Sequence, residues 1–299
     1  MHPLITMLGV EYPSETKSID NYQNGMSFIC RLSDGSFIIV DGGFVDNRSA
    51  SRLYEVLREQ APDPDNIVIA AWILTHAHMD HIGAFMNFSE LYTDKVTVET
   101  LIHDFPSDEQ AAVTNEGGNK NACIDNMKKY KGSKIILARP GQEYYIRDMK
   151  IEMLYTTELF APKGLNYFNT SSLIFRLYAK NGQSVIFLGD CSEDTNDIIS
   201  RMYEDYLASD IIQVAHHGSQ GGSYRLAQYI APTYVLWPRG QKTFNDSLSH
   251  NRNTYYRTVK TILGIWCAGS AVTVHEFSPE PGKFDVYANI ETYVRASIN

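Results

Sequence analysis

The sequence predicts an α/β protein in which two β-sheets pack together with helices outside, as a single domain over residues 1–299. Short apolar runs bounded by turn residues recur along the chain, and helical patterns alternate with them from residue 47 onward. No repeat, low-complexity tract or linker divides the sequence. A hydrophobic fraction of 43% and a charged fraction of 20% in 299 residues are enough for a sizeable core without staples.

Residues 26–32 (MSFICRL) and 36–40 (SFIIV) read as a hairpin around the turn Ser33-Asp34-Gly35, and the second strand ends in Asp41-Gly42-Gly43. Residues 47–60 carry apolar residues at helical spacing behind an Asp or Asn start. After the break APDPDN, the run NIVIAAWIL (66–74) is continuous, as expected of a strand buried on both faces. A helix over 82–92, a strand over 96–103 and polar helices over 106–132, broken near Gly117 and Gly118, come next. Short strands at 135–140, 143–146 and 149–155 lead to two strong ones at 172–179 and 184–190. Ser192 is placed to cap a helix over 192–208, with Glu193 and Asp194 favourable in its first turn. Strand 210–215, helix 221–230, strand 233–238, an irregular stretch, helix 251–264 and strand 271–277 complete the pattern.

Charge and cysteine usage narrow the function. A net charge of −9 and a pI near 5.5 give no general attraction to phosphate backbones or anionic lipid, so nucleic acid is not the favoured partner. Cys30, Cys123, Cys191 and Cys267 are scattered without a CxxC pair, which reads as reduced core thiols rather than disulfides or a thiolate metal site. With neither a secretory pattern nor a run of about 18 apolar residues, the expected setting is the cytoplasm without membrane insertion.

The chemistry gathers at strand ends. THAHMDHIGA (75–84) places His76, His78, Asp80 and His81 within six positions of a chain that has nine histidines. In extended backbone His76 and His78 point to the same side, and Asp80 and His81 project toward a second position after the chain turns. Such crowding is electrostatically awkward without a cation, and imidazole with carboxylate is a ligand set for Zn²⁺, Mn²⁺ and Fe²⁺. Three more apolar runs end similarly, in Asp41, in Gly189-Asp190, and in Ala215-His216-His217-Gly218-Ser219. Layered α/β folds assemble sites at such strand ends. His103 and His275, each alone, read as ordinary polar residues.

In order and spacing, these residues resemble the metallo-β-lactamase superfamily of metal-dependent hydrolases over about residues 28–250. NTSSLIFRL (169–177), FLGD (187–190), QVAHHGS (213–219) and the later Asn245 to His250 are further similar to the hydrolase domain of ComEC-type competence proteins and their stand-alone relatives. The resemblance implies a four-layer αββα sandwich with the metal site at one edge. It implies a first ion at His76, His78 and a bridging Asp190, with Asn169 where most of the superfamily has a third histidine. The second ion would lie at Asp80, His81, Asp190 and one of His216 and His217, with His216 preferred. An amide oxygen is a poorer zinc ligand than imidazole, so the first site is expected to be weak, to prefer Mn²⁺, or to stay empty.

The activity this suggests is hydrolysis of a small phosphodiester or related ester by a metal-bound hydroxide, with one or two divalent ions, Zn²⁺ ahead of Mn²⁺. Asp80 would orient the nucleophile while ligating, and Asp41 would hold a ligand histidine through a hydrogen bond. His250 would either protonate the leaving group or be a surface residue at a helix start. Ser219, Arg239 and Arg252, with Lys242 and Arg257, are candidates for holding the substrate or else a solvated face, and residues 104–132 for a cover. Hydrolysis of a lactone, carboxylic ester or amide is the runner-up. A non-catalytic metal-binding module, with Asn169 marking a decayed site, is the other.

Overall fold

A computed structural model describes residues 1–9, 25–114, 117–156, 167–220, 222–268, 273–277 and 284–287, and in them the apolar runs form two sheets. The first begins with β1 (Leu4–Met7), β2 (Ser27–Arg31), β3 (Phe37–Asp41), β4 (Ile67–Ile73), β5 (Val96–Val98), β6 (Thr100–His103) and β7 (Lys134–Leu137). The second holds β8 (Glu143–Ile146), β9 (Met149–Tyr155), β10 (Ile174–Ala179), β11 (Ser184–Phe187), β12 (Ile211–Gln213), β13 (Tyr234–Trp237) and β14 (Gly264–Cys267). The chain then returns to the first sheet with β15 (Thr273–Phe277) and β16 (Phe284–Tyr287). Strand order is β16-β15-β1-β2-β3-β4-β6-β7 in one sheet, with β5 also on β4, and β14-β13-β12-β11-β10-β9-β8 in the other. Both sheets are mixed: pairing is parallel from β3 through β7 and from β11 through β14.

The two-residue period of the strands sorts side chains into layers. In β3, Ile38 and Val40 face the second sheet, while Phe37 and Ile39 face outward. In β11, Val185 and Phe187 face inward and Ile186 outward. Phe28 of β2 meets Phe187 edge to face at 5.2 Å, joining the sheets. Helices α1 (Asn47–Gln60), α2 (Met79–Leu91), α3 (Asp108–Thr114) and α4 (Gly117–Met127) lie on the first sheet's side, where Leu53, Leu57 and Met127 share one core cluster with Trp72, itself packed edge to face on Phe85 and Phe88. After the short α5 (Tyr167–Thr170), α6 (Glu193–Tyr203), α7 (Tyr224–Ile230), α8 (Gln241–Ser249) and α9 (Thr254–Thr258) belong to the second side, where Ile199, Leu226, Ile230 and Tyr255 pack with Trp237. Two sheets flanked by helices make the metallo-β-lactamase-like sandwich expected from the sequence. Asp46 caps α1 by accepting from the Ser49 amide, and Ser192 caps α6.

Several elements differ from expectation. The irregular stretch after β13 contains the helix α8, and the helix expected over 251–264 stops at Thr258. Gly264–Cys267, at its expected end, is instead a strand parallel to β13. Strands β1 and β16 carry too few residues to show an alternation in sequence. The segment expected as a cover packs into the outer core of the first side through Phe105, Ala111 and Cys123. Among the described residues, no helix is long and apolar enough to cross a membrane.

Candidate metal centre

The C-terminal ends of β3, β4, β11 and β12 lead into one site. Asp41 closes β3 with a left-handed backbone, φ 55°, and is fully buried. Gly42 then lies so close to α2 that a Cβ there would sit 2.6 Å from the Phe85 amide nitrogen. Gly42 and Gly43 both donate to the His81 carbonyl, so this turn fixes the first turn of α2, which carries Asp80 and His81.

Asp80, His81, Asp190 and His217 each present one ligand atom, and these atoms all lie within 4.8 Å of one another. His81 Nε2 is 3.2 Å from Asp190 Oδ1, and His217 Nε2 is 3.3 Å from both Asp80 Oδ2 and Asp190 Oδ2. The other nitrogen of each ring is engaged behind the site. His81 Nδ1 lies 2.7 Å from Asp41 Oδ2, and His217 Nδ1 lies 2.8 Å from the Pro238 carbonyl oxygen. Both partners accept, so each Nδ1 carries a proton and each Nε2 is the nitrogen left to hold an ion, which would displace the proton there. The two Nε2 atoms face each other at 3.3 Å beside two carboxylates. Two imidazole nitrogens and two carboxylates converging on one point are complementary to a cation, and the set suits a divalent ion of the zinc type.

The electrostatics agree. Burial lowers the proton affinity of His81, yet the Asp190 and Asp41 carboxylates outweigh it and hold the ring well above its ordinary range. Burial likewise opposes protonation of His217, and Asp190 and Asp80 raise it to about 9. Burial alone would lift the Asp190 carboxyl, but His217 and His81 hold it well below the usual range. This pocket therefore attracts positive charge in whatever form is available.

His76 and His78 lie next to this quartet. His76 Nε2 is 3.1 Å from His78 Nδ1, and the His76 and His81 rings are 4.1 Å apart. Burial, with His81 and His78 nearby, holds His76 well below its ordinary value. The His78 ring stacks on Phe168, and the buried Oδ1 of the neighbouring Asn169 has no hydrogen-bond partner among the described residues. Asp41, which faces His81 Nδ1, also accepts from the Thr75 amide and hydroxyl, both at 2.7 Å.

Other expectations are corrected. His217, not the preferred His216, joins the quartet, because left-handed backbone at both residues turns the His217 ring inward. His216 stays at the rim, its Nε2 3.7 Å from Asp190 Oδ2 and its side chain 23% exposed. His250 is exposed at the end of α8 and takes no part in the hydrogen bonds of the cluster. Arg239 donates to the His217 carbonyl, the Ser219 hydroxyl and Thr243, so both Arg239 and Ser219 are bonded behind a ligand. Arg252 pairs with Glu193, and Arg257 bonds the Ser249 carbonyl. The side chains of Lys242 and His275 lie outside the described residues. His103, far from a loop residue, is buried at the end of β6 with its Nδ1 accepting from the Phe105 amide.

A family model of the metallo-beta-lactamase superfamily matches residues 23–142. The metallo-beta-lactamase fold protein YhfI from Bacillus subtilis has a similar structure, with a TM-score of 0.51 and 17% identity over 90% of this chain and 98% of that one. Zn²⁺-bound PqqB from Methylobacterium extorquens gives a TM-score of 0.44 and 12% identity over 74% of this chain and 73% of its own. No curated protein matches the sequence. The fold is thus that of the metallo-β-lactamase superfamily, and an Asp/His/Asp/His quartet at its strand ends, buried but for Asp80, is consistent with a metal-dependent hydrolase.

Proposed function

We propose that this chain hydrolyses a small phosphodiester or related ester with a divalent ion, Zn²⁺ in the first instance, held by Asp80, His81, Asp190 and His217. The observation that carries the reading is the pair of Nε2 atoms facing each other at 3.3 Å between two carboxylates. A bound ion at such a set lowers the pKa of a water to roughly 7 and polarises a phosphoryl or carbonyl oxygen.

The chain's own residues do the rest. Among the four, Asp80 is 25% exposed in its side chain while His217 is 3% exposed, so substrate approaches past Asp80 and the rim residue His216. Asp80 orients the attacking water at that opening. Asp41 and the Pro238 carbonyl keep the two imidazoles in the ligating tautomer. His216 is a substrate contact at the rim, while the geometry lends no support to His250 as the proton donor. Support for a phosphodiester comes from the ComEC-like stretches at 169–177, 187–190 and 213–219. The net charge of −9 favours a small substrate over a polymer.

A further ion at His76, His78 and Asp190 would have Asn169 in place of a third histidine. The unpartnered, buried Asn169 Oδ1 supports a weak site there rather than a decayed one. We treat the whole of 1–299 as one hydrolase domain.

Metal content per chain, measured by plasma mass spectrometry for wild type and Asp80→Ala, tests the reading. One or two equivalents of Zn or Mn in the wild type, lost in the variant, is the expected result. No metal after dialysis against Zn²⁺ or Mn²⁺ sinks it. Turnover of bis-p-nitrophenyl phosphate without turnover of lactones is expected, and the reverse pattern replaces the phosphodiester with a carboxylic ester.

A further inference from the structure

The turn that delivers His217 is left-handed at three successive residues: His216 (φ 48°, ψ 47°), His217 (φ 50°, ψ 22°) and Gly218 (φ 74°). Glycine enters this region freely, but a residue with a Cβ does not, and two in succession persist only where surrounding contacts over-determine them. Those contacts are present and come from outside the ligand set. The His217 carbonyl accepts from Trp237 Nε1 at 3.0 Å and from Ser247 Oγ and Arg239 Nη1, each at 3.3 Å. The Gly218 carbonyl accepts from Asn253 Nδ2 at 2.8 Å and Ser247 Oγ at 2.9 Å. Asn253 Nδ2 also donates to the Ser247 carbonyl at 2.7 Å, tying the end of α8 to the same turn.

Trp237 and Asn253 are fully buried and Ser247 is 3% exposed, so the donors are shielded from competing water. A Cβ on Gly218 would fall 2.2 Å from the Trp237 ring, so the indole also fills the space behind the turn. Each contact reaches the main chain of the ligand residue or of its neighbour, and none reaches the ring. Rotating the His217 backbone toward an ordinary conformation would break them together and swing Nε2 away from Asp80 and Asp190.

We propose that Trp237, Ser247 and Asn253 are positioning residues for the metal centre, which clamp the 217 and 218 carbonyls and thereby aim His217. The proposal rests on the reading of the quartet as a metal site. It makes the segment from β13 to the start of α9 part of the centre, although it supplies no ligand of the quartet.

The test is Zn²⁺ affinity of the full chain, by competition with a chromophoric chelator, for wild type, Asn253→Ala, Ser247→Ala and Trp237→Phe. Leu53→Ala, in the core outside the first sheet, is the stability control. Loss of a group that orients a ligand typically weakens a metal site 10- to 100-fold, and a loss of about that size is expected in each of the three variants. Their Co²⁺-loaded forms should show a changed visible spectrum. Leu53→Ala should lose thermal stability while keeping wild-type affinity and spectrum. Trp237→Phe removes ring atoms behind Gly218 as well as the donor, whereas Ser247→Ala deletes only a hydroxyl, so Ser247→Ala decides the matter if Asn253→Ala folds poorly. Affinities within twofold of wild type, or an equal loss in Leu53→Ala, overturn the proposal. Wild type that takes up no Zn²⁺ overturns the metal reading itself, which is a different result.

Discussion

Asp41 shows how one side chain governs chemistry it does not touch. One oxygen accepts from the Thr75 amide, while the other faces both the Thr75 hydroxyl and His81 Nδ1. In Asp41→Asn the amide oxygen must stay on the main-chain N–H, which places the new NH₂ against His81 Nδ1. That nitrogen must then accept, so the proton moves to Nε2 and points into the quartet. A loss of Zn²⁺ affinity of about 10- to 100-fold is expected with near-wild-type volume, and unchanged affinity would remove Asp41 from the site. At this scale much was legible in sequence. His76, His78, Asp80 and His81 stand out because four coordinating residues crowd the end of one apolar run, whereas Asp41 and Asp190 sit in common turn sequences and gain meaning only beside it. The choice of His217 over His216 was not, since two neighbours of identical chemistry are separated only by backbone conformation. The donors of Trp237, Ser247 and Asn253 were equally hidden, because they act on carbonyls that every residue possesses.

Elements place these residues, and the tightest fit is between the turn after β3 and α2. Gly42→Ala would put a methyl 2.6 Å from a backbone nitrogen of Phe85, which cannot move aside as a side chain can. Overpacking of this kind costs about 1–3 kcal/mol, and a lower melting temperature is expected together with weaker metal binding, because the same turn holds His81 through its carbonyl. A melting temperature equal to wild type would show that α2 shifts freely, contrary to its packing. Strands with long apolar runs, such as β4, and helices with clear caps, such as α1 and α6, are legible because burial pattern and capping chemistry agree. Gly264–Cys267 hides because a four-residue strand follows a helical pattern without a break, and its pairing with β13 is a tertiary choice. Helix α8 starts at Gly240, which offers no side-chain cap to signal it.

The whole molecule responds to pH through groups outside the centre as well as within it. His103 is buried at the end of β6, and burial, with the Lys120 and Arg139 charges, lowers it from 6.5 to about 4. Its Nδ1 accepts from the Phe105 amide, a bond that only the unprotonated nitrogen can make. The unfolded chain binds a proton here below pH 6.5, whereas the folded chain does not until about pH 4. Stability from this group is therefore complete above the unfolded value and is lost as pH falls through that window. At about 1.4 kcal/mol per pH unit the contribution is about 3 kcal/mol. Metal ligands also titrate under acid, so the comparison is made with chelator present. Urea unfolding of wild type and His103→Asn, whose amide oxygen keeps an acceptor without a titrating nitrogen, isolates the effect. The difference between the two stability curves should be flat above pH 7 and should move by about 3 kcal/mol between pH 6.5 and 4, with the wild type losing more. Parallel curves through that window would mean that His103 is protonated as readily in the folded chain as in the unfolded one.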